Sequence, residues 1–309
     1  MERKGKSLTL GVFSRNKQQG EKIAVLTAYD LTSALIASAG GVDAILVGDS
    51  LGMVVLGHEN TLPVTLDDVL HHCKAVSRAR PQVPIIADMP YGSFHVSVEE
   101  TVRNALRLIK EGGANAVKVE GGRSRGAVIG ALIEAEIPVM GHLGLTPQSI
   151  NQLGGYRVQG RDTETAQRLE DEAQFLSDAG CFAIVLECMP TSLSERISRA
   201  MAIPTIGIGA GNGCDGQVLV IHDMLGLFTG LKPKFVKRYA HLGDDAVVAV
   251  TKYVQEVREG VFPGKDHSYA DQTGTGRGRV VNTGPDSEGV VTEQAPKSGY
   301  LSDVANGKE

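Results

Sequence analysis

Short apolar runs recur along the chain and stop abruptly at ionisable residues. Five of them end in this way, at Asp49, Asp88, Glu120, His142 and Glu187. A continuous apolar run that stops at a turn is typical of a buried strand. Active sites of α/β folds form at the C-terminal ends of the strands. The pattern therefore predicts that one rim of the fold gathers these five side chains.

Helix signals separate most of the apolar runs, which number eight. Thr65 and Ser97 are predicted N-caps, because acidic residues follow each of them within the first turn. The first twenty residues indicate a helix near 8–13 only weakly. Eight strands alternating with helices predict a (β/α)8 barrel. A doubly wound sheet is the alternative, but no Gly-x-Gly-x-x-Gly follows the first strand, so dinucleotide binding is unsupported.

Composition limits the class of protein. The chain has 309 residues, 42% of them hydrophobic, and a net charge of −5 without a basic face for nucleic acid. No apolar run reaches the ~20 residues of a membrane span, and no signal peptide follows Met1, so we expect a cytoplasmic protein. Residues 1–269 are predicted to form the catalytic barrel. Residues 270–309, rich in Gly, Ser, Thr, Asp and Glu, are predicted to be a mostly disordered tail.

Four cysteines are present, and none forms a close CxxC-type pair. They are Cys73, Cys181, Cys188 and Cys214. Their spacing favours reduced thiols over a zinc site or a disulfide framework.

The acids that end strands two, three and four are candidates for a metal site. Asp49, Asp88 and Glu120 would be neighbours on one rim of a barrel. Oxygen ligands with open positions suit Mg²⁺, which takes one or two protein carboxylates and completes its shell with substrate and water. The alternative is that each acid caps a helix or pairs with a basic residue. Three acids on consecutive strands favour the metal, which would also offset their mutual repulsion.

Lys118 lies two residues before Glu120, so both side chains point to the same side of the strand. The lysine is a candidate cation for an anionic substrate or oxyanion. Neutralisation of Glu120 is an equal alternative, and a Schiff-base role is less favoured. His142 is a candidate hydrogen-bond donor to the same substrate oxygen, with a capping or core histidine as the alternative.

Glu187 ends strand six, across the rim from the other acids. A carboxylate held apart from a metal is free to accept a proton, as a general base must be. The alternative is a salt bridge to an arginine such as Arg157.

Several motifs in this order resemble the ketopantoate hydroxymethyltransferase (3-methyl-2-oxobutanoate hydroxymethyltransferase) family. The loop His142-Leu143-Gly144-Leu145-Thr146-Pro147-Gln148 is the most specific of them. The resemblance covers about residues 6–269 and rests on the segments 27–30, 47–53, 61–65, 117–122, 141–149, 154–161 and 207–211.

The resemblance implies a (β/α)8 barrel of the phosphoenolpyruvate/pyruvate type. It implies transfer of a hydroxymethyl unit from 5,10-methylenetetrahydrofolate to 3-methyl-2-oxobutanoate through a Mg²⁺-stabilised enolate, giving 2-dehydropantoate in pantothenate biosynthesis. By position, Asp49, Asp88 and Glu120 correspond to the Mg²⁺ site, and Glu187 to the proton acceptor. Substrate contacts correspond to Asp49, Ser50, Asp88 and Lys118, to which the chemistry adds His142. Members are typically homo-oligomers, often decamers.

Two other functions stay open on the sequence. One is a Mg²⁺-dependent lyase or mutase of the same superfamily that acts on another 2-oxo acid without folate; no cysteine-bearing loop of the kind these enzymes use is evident. The other is a catalytically inactive barrel that serves as an assembly scaffold. The intact acid cluster and the separate base argue against the scaffold.

Overall fold

The computed structural model describes residues 9–228, 230 and 233–269. Eight parallel strands pair in sequence order, and β1 pairs with β8 to close a barrel. This architecture confirms the predicted (β/α)8 fold and excludes an open doubly wound sheet. The strands are β1 Ile23–Thr27, β2 Ala44–Val47, β3 Ile85–Asp88, β4 Ala116–Glu120, β5 Val139–Gly144, β6 Ala183–Glu187, β7 Thr205–Ile208 and β8 Gly216–Leu219.

Helices surround the barrel and differ widely in length. In the described part of the chain they are α1 Gly11–Gln19, α2 Leu31–Ala39, α3 Leu51–Val54, α4 Leu66–Ser77, α5 Val98–Lys110, α6 Gly126–Glu134, α7 Ile150–Leu153, α8 Thr163–Asp178, α9 Thr191–Ala200, α10 Ile221–Leu225 and α11 Leu242–Arg258. No described helix has both the length and the apolar character that crossing a membrane would require.

The predicted caps begin their helices as expected. The Thr65 hydroxyl accepts the backbone N–H of Asp68, whose carboxylate accepts the Thr65 N–H in return. The Ser97 hydroxyl accepts the backbone N–H of Glu100. Each cap satisfies an N–H group that the first turn leaves without a partner.

Two segments differ from the sequence prediction. The first helix covers Gly11–Gln19 rather than residues near 8–13, because Val12 and Phe13 are anchored by tertiary packing that local periodicity does not reveal. The motif from His142 to Gln148, described above as a loop, begins instead with the last residues of β5, which pair with β6 as far as Gly144 and Glu187. That pairing holds His142 inside the strand.

Helix α1 closes the N-terminal end of the barrel. Val12 and Phe13 are buried against apolar side chains from inside the strands, and the Phe13 ring meets Phe182 edge-on at 5.2 Å. Lys17 Nζ lies 2.7 Å from Asp215 Oδ2, which ties the helix to the turn before β8. The opposite end of the barrel, where the strands finish, carries the cavity described below.

The described residues divide into two compact units, one that ends at residue 245 and one that begins at residue 246. The first contains the whole barrel. The predicted tail, 270–309, lies outside the described residues. All four cysteines are free thiols, and Cys188 is only partly buried, whereas the other three are fully buried.

Candidate active site

A cavity of about 720 Å³ opens at the C-terminal ends of the strands. Its walls include every residue that the sequence analysis selected for substrate, metal or proton transfer: Asp49, Ser50, Asp88, Lys118, Glu120, His142 and Glu187. Five neighbouring strands, β2 to β6, bring these side chains together, because each carries one or two of them within three residues of its C-terminal end. The side chains that the sequence pattern placed at one rim therefore lie together in one cavity.

Lys118 and Asp88 form a buried ion pair at the base of the cavity. Lys118 Nζ donates to Asp88 Oδ1 at 2.5 Å, and both side chains are about 5% exposed or less. Burial would lower the pKa of Lys118, but Asp88, Glu120 and Asp49 outweigh it and raise the pKa. The amine is thus a fixed cation and not a Schiff-base nucleophile.

Gln148 connects the two neighbouring carboxylates. Its Nε2 donates to Asp49 Oδ2 at 2.9 Å, and its backbone N–H donates to Glu120 Oε2 at 3.0 Å. Burial, together with repulsion from Asp88 and Glu120, raises the pKa of Asp49 well above its usual value. The acid cluster is therefore short of positive charge, although Lys118 supplies one cation.

His142 lies between two carboxylates. Its Nδ1 is 3.4 Å from Glu120 Oε1 and its Nε2 is 3.2 Å from Glu187 Oε2. Neither contact has the alignment of a hydrogen bond, so the interactions are mainly ionic. Burial and Lys118 disfavour the charged ring, but Glu120 and Glu187 prevail and raise the pKa of His142 to about 9. The ion pair of Glu187 in the described structure is thus with His142, not with Arg157.

Ser50 is held by a tyrosine beneath it. Tyr29 Oη and Ser50 Oγ are 2.8 Å apart, and Tyr29 is 1% exposed. Burial raises the pKa of the phenol, which therefore stays protonated and can donate to Ser50. Ser50 then keeps its own hydrogen for a ligand in the cavity.

The residues present fit Mg²⁺ in charge and chemistry. Asp49 has a raised pKa that a cation would reverse, and the buried Glu120 Oε1 has no hydrogen-bond partner. Among the described residues, no group of three or more His, Cys, Asp or Glu side chains is already gathered for a metal. Mg²⁺ needs only one or two protein carboxylates, with substrate and water in the other positions.

Sequence reasoning missed four residues of this site, of which Asp223 and Cys188 line the cavity. Gln148 and Tyr29 lay within recognised motifs, but their contacts depend on tertiary structure. Asp223 follows β8 by only a few residues, yet it had no assigned role. Cys188 follows Glu187 directly and lines the cavity, although no cysteine was expected in such a place. Burial and Glu187 raise its pKa to about 12, so the thiol is neutral.

A closed parallel barrel with buried acids, a lysine and a histidine at its C-terminal rim defines a (β/α)8 enzyme. The fold is similar to that of 2,3-dimethylmalate lyase, a PEP mutase/isocitrate lyase superfamily member, with a TM-score of 0.53, 16% identity, and coverage of 86% of this chain and 88% of that one. It is also similar to phosphonopyruvate hydrolase, crystallised with oxalate and Mg²⁺, with a TM-score of 0.55, 12% identity, and coverage of 82% and 91%. These likenesses confirm the (β/α)8 barrel fold.

The family model for ketopantoate hydroxymethyltransferase matches residues 7–265. The 3-methyl-2-oxobutanoate hydroxymethyltransferase of Syntrophus aciditrophicus (strain SB) is 53% identical over 266 residues, which cover 86% of this chain and 98% of that protein. The chain belongs to the ketopantoate hydroxymethyltransferase family, as the motifs predicted, and is a transferase.

Proposed function

We propose that this chain transfers a hydroxymethyl unit from 5,10-methylenetetrahydrofolate to 3-methyl-2-oxobutanoate, giving 2-dehydropantoate for pantothenate biosynthesis. Membership of the family over nearly its full length supports the reaction. The observation in the fold that supports it best is the separation of roles around one cavity. Asp49, Asp88 and Lys118 come from the ends of β2 to β4, and the Glu187–His142 pair comes from β5 and β6.

The oxo acid would bind over the Asp88–Lys118 pair. The Lys118 ammonium is a fixed cation for an anionic substrate. The Ser50 hydroxyl, which accepts from Tyr29, donates to the substrate carboxylate. These contacts orient the 2-oxo acid before any bond changes.

Asp49, Asp88 and Glu120 would hold Mg²⁺, which acts as a Lewis acid that makes the C3 hydrogen of the 2-oxo acid more acidic. The raised pKa of Asp49 supports this assignment, because a nearby cation stabilises its ionised form. Gln148 keeps the carboxylates of Asp49 and Glu120 in place through its two hydrogen bonds.

Glu187 would accept the C3 proton. Its Oε2 lies 3.2 Å from the His142 ring, which leaves Oε1 for the substrate. Because the two carboxylates raise the pKa of His142 to about 9, the ring is cationic at neutral pH and forms an ion pair with Glu187. His142 thus positions the base, in addition to facing substrate oxygens.

The transfer step joins C3 of the resulting enolate to the methylene carbon of the folate. Overall, one C–C and one C–O bond form and the two C–N bonds of the methylene group break. Water supplies the oxygen of the new hydroxymethyl group, since the methylene carbon arrives bonded only to nitrogen. Both nitrogen atoms keep the electron pairs of the broken bonds, and each takes up one proton as tetrahydrofolate forms, which balances the proton lost from C3 and the proton lost from water.

Proton NMR of 3-methyl-2-oxobutanoate in D₂O separates the two halves of this reaction. With enzyme and Mg²⁺ we expect the C3 proton signal to disappear, and with methylenetetrahydrofolate we expect 2-dehydropantoate to form. Glu187→Gln is expected to bind the oxo acid but to lose at least 100-fold in exchange rate. Glu134→Gln, on the exposed side of α6, is the control and should exchange as wild type does.

Full exchange by Glu187→Gln would remove Glu187 from the role of base. Cleavage of a 2-oxo acid without folate would instead favour the lyase or mutase. Absence of exchange, product and Mg²⁺ binding in the wild-type protein would favour the scaffold.

We also infer that the chain forms a homo-oligomer, and the family resemblance suggests a decamer. Helix α11 supports assembly, because it buries none of its side chains although it is rich in apolar residues. Val247, Val248, Val250 and Tyr253 are all more than half exposed. Exposed apolar surfaces of this kind mark interfaces. Light scattering after size exclusion gives the mass, and a monomer at micromolar concentration would refute the inference.

A further inference from the structure

Five carboxylates line the cavity, and four of them are held by the protein. Asp49 is bound by Gln148, Asp88 by Lys118, Glu120 by Gln148, and Glu187 is paired with His142. The fifth differs from them. Asp223 makes no side-chain hydrogen bond or ion pair with any residue in the described ranges, although it is only partly exposed.

Asp223 lies across the barrel mouth from Glu120 and two strands away from the base, Glu187. It belongs to α10, which follows β8, whereas Glu120, His142 and Glu187 come from β4, β5 and β6. In the closed barrel β8 is next to β1 and is four strands away from β4. A group bound by Asp223 therefore extends inward, toward the oxo acid site at the centre.

The cavity is also larger than one small oxo acid requires. Its volume of about 720 Å³ is that of a site for a drug-sized ligand. A five-carbon oxo acid at Lys118 leaves most of that space for a second molecule. The proposed reaction supplies one, which must lie close enough for its methylene carbon to meet C3 of the oxo acid.

We propose that Asp223 binds the 2-amino-4-oxo edge of the tetrahydropterin ring of the folate co-substrate. The inference rests on the proposed function and names the subsite for the second substrate. The pterin N3–H and 2-amino N–H are parallel donors, and a carboxylate can accept both in a bidentate pair. Because N5 is at the other end of the fused ring, this orientation points the one-carbon unit toward the centre of the barrel.

An aromatic side chain lines the same cavity. Phe235 packs against Gly209 so closely that a Cβ atom there would be 2.8 Å from the ring. Ile208 and Leu219 add apolar surface to the wall. Flat apolar surface and one unpaired carboxylate are what a planar heterocycle with a donor edge needs.

Burial also raises the pKa of Asp223, against the influence of Arg238. The carboxylate has lost part of its hydration without gaining a hydrogen-bond partner among the residues that the structure describes. Two donors from a ligand would therefore be worth more here than on the surface.

Calorimetric titration with tetrahydrofolate, on the complete Mg²⁺-loaded protein, tests the subsite directly. We expect Asp223→Asn to weaken binding about 10- to 100-fold, because the amide offers one acceptor and adds a donor that faces the ring. Asp223→Glu should retain part of the affinity. Asp171→Asn, on the exposed face of α8 where the carboxylate accepts a hydrogen bond from Gln167, should bind as wild type does.

A second titration uses the 2-desamino-2-methyl analogue of tetrahydrofolate. Wild type should bind it about 10-fold or more weakly than tetrahydrofolate, and Asp223→Asn should lose this preference. Equal affinity of wild type for the two ligands would overturn the proposal without any variant. Tetrahydrofolate binding by Asp223→Asn within threefold of wild type would also overturn it.

The C3 exchange reaction separates this proposal from the proposed function. Exchange needs only the oxo acid and Mg²⁺, so Asp223→Asn should retain it while losing folate binding and product formation. Failure of wild type to exchange or to form product would refute the proposed function itself. Normal wild-type turnover with unaltered folate binding in Asp223→Asn would refute only the subsite.

Discussion

The Tyr29–Ser50 hydrogen bond permits a quantitative test of how the site positions its substrate. Tyr29→Phe removes one buried phenol oxygen, 2.8 Å from Ser50 Oγ, and leaves the ring in place. The Thr27 hydroxyl, which also interacts with the phenol, accepts the backbone N–H of Ile221 at 3.0 Å, so that backbone group keeps its partner in the variant. The change therefore affects mainly the orientation of the Ser50 hydroxyl.

One neutral hydrogen bond contributes about 1 kcal/mol, which corresponds to roughly a fivefold change in an equilibrium constant. We expect Tyr29→Phe to lower the free energy of unfolding by about that amount. We also expect the KM for 3-methyl-2-oxobutanoate in the C3 exchange reaction to rise about fivefold, with little change in kcat. Tyr91→Phe is a control, because Tyr91 is 49% exposed.

Urea denaturation and NMR exchange rates at several substrate concentrations measure both quantities. The double variant Tyr29→Phe/Ser50→Ala adds the decisive comparison. If Tyr29 acts through Ser50, the double variant has the KM of Ser50→Ala alone. A KM for Tyr29→Phe equal to that of wild type, or fully additive effects in the double variant, would refute the reasoning.

Two further predictions concern β5 and β6. Gly144 has φ +93° and lies against the carbonyl oxygen of Glu187. Gly144→Ala should therefore separate the ends of the two strands, lower the free energy of unfolding by more than about 2 kcal/mol and slow C3 exchange. A variant that unfolds and exchanges as wild type does would contradict this prediction. Cys188 has a pKa raised to about 12, so the thiolate forms only as the pH rises toward that value. Iodoacetamide should therefore leave the Cys188 peptide unmodified at pH 8 and label it increasingly above pH 10, as peptide mass spectrometry can check. Rapid labelling at pH 8 would disprove the raised pKa.

The sequence predicted the barrel well because its signals are local. Each buried strand is a short apolar run that ends at a charge, and caps such as Thr65 and Ser97 mark helix starts through contacts within a few residues. The barrel closes through pairing between β1 and β8, which no local signal encodes. Regular alternation of strands and helices was sufficient to expect it.

The contacts between the site residues were harder to predict from the sequence. Glu187 was expected to stand apart from the other acids, whereas the structure joins it to Glu120 through His142. This link depends on the register of β4, β5 and β6, which apolar patterns leave undetermined. Gln148 was hidden for a similar reason, because both of its carboxylate contacts come from strands distant in sequence.

Helix α1 has a kinetic consequence through its packing beneath the barrel. Because Val12 and Phe13 fill the N-terminal end, both substrates must enter and leave by the rim. The oxo acid site at Lys118 is deeply buried, whereas Asp223 is nearer to solvent. We therefore expect a compulsory order in which the oxo acid enters first, and in which tetrahydrofolate departs before 2-dehydropantoate. A folate that arrives too early would block the entrance, so excess folate should slow turnover by forming a dead-end complex.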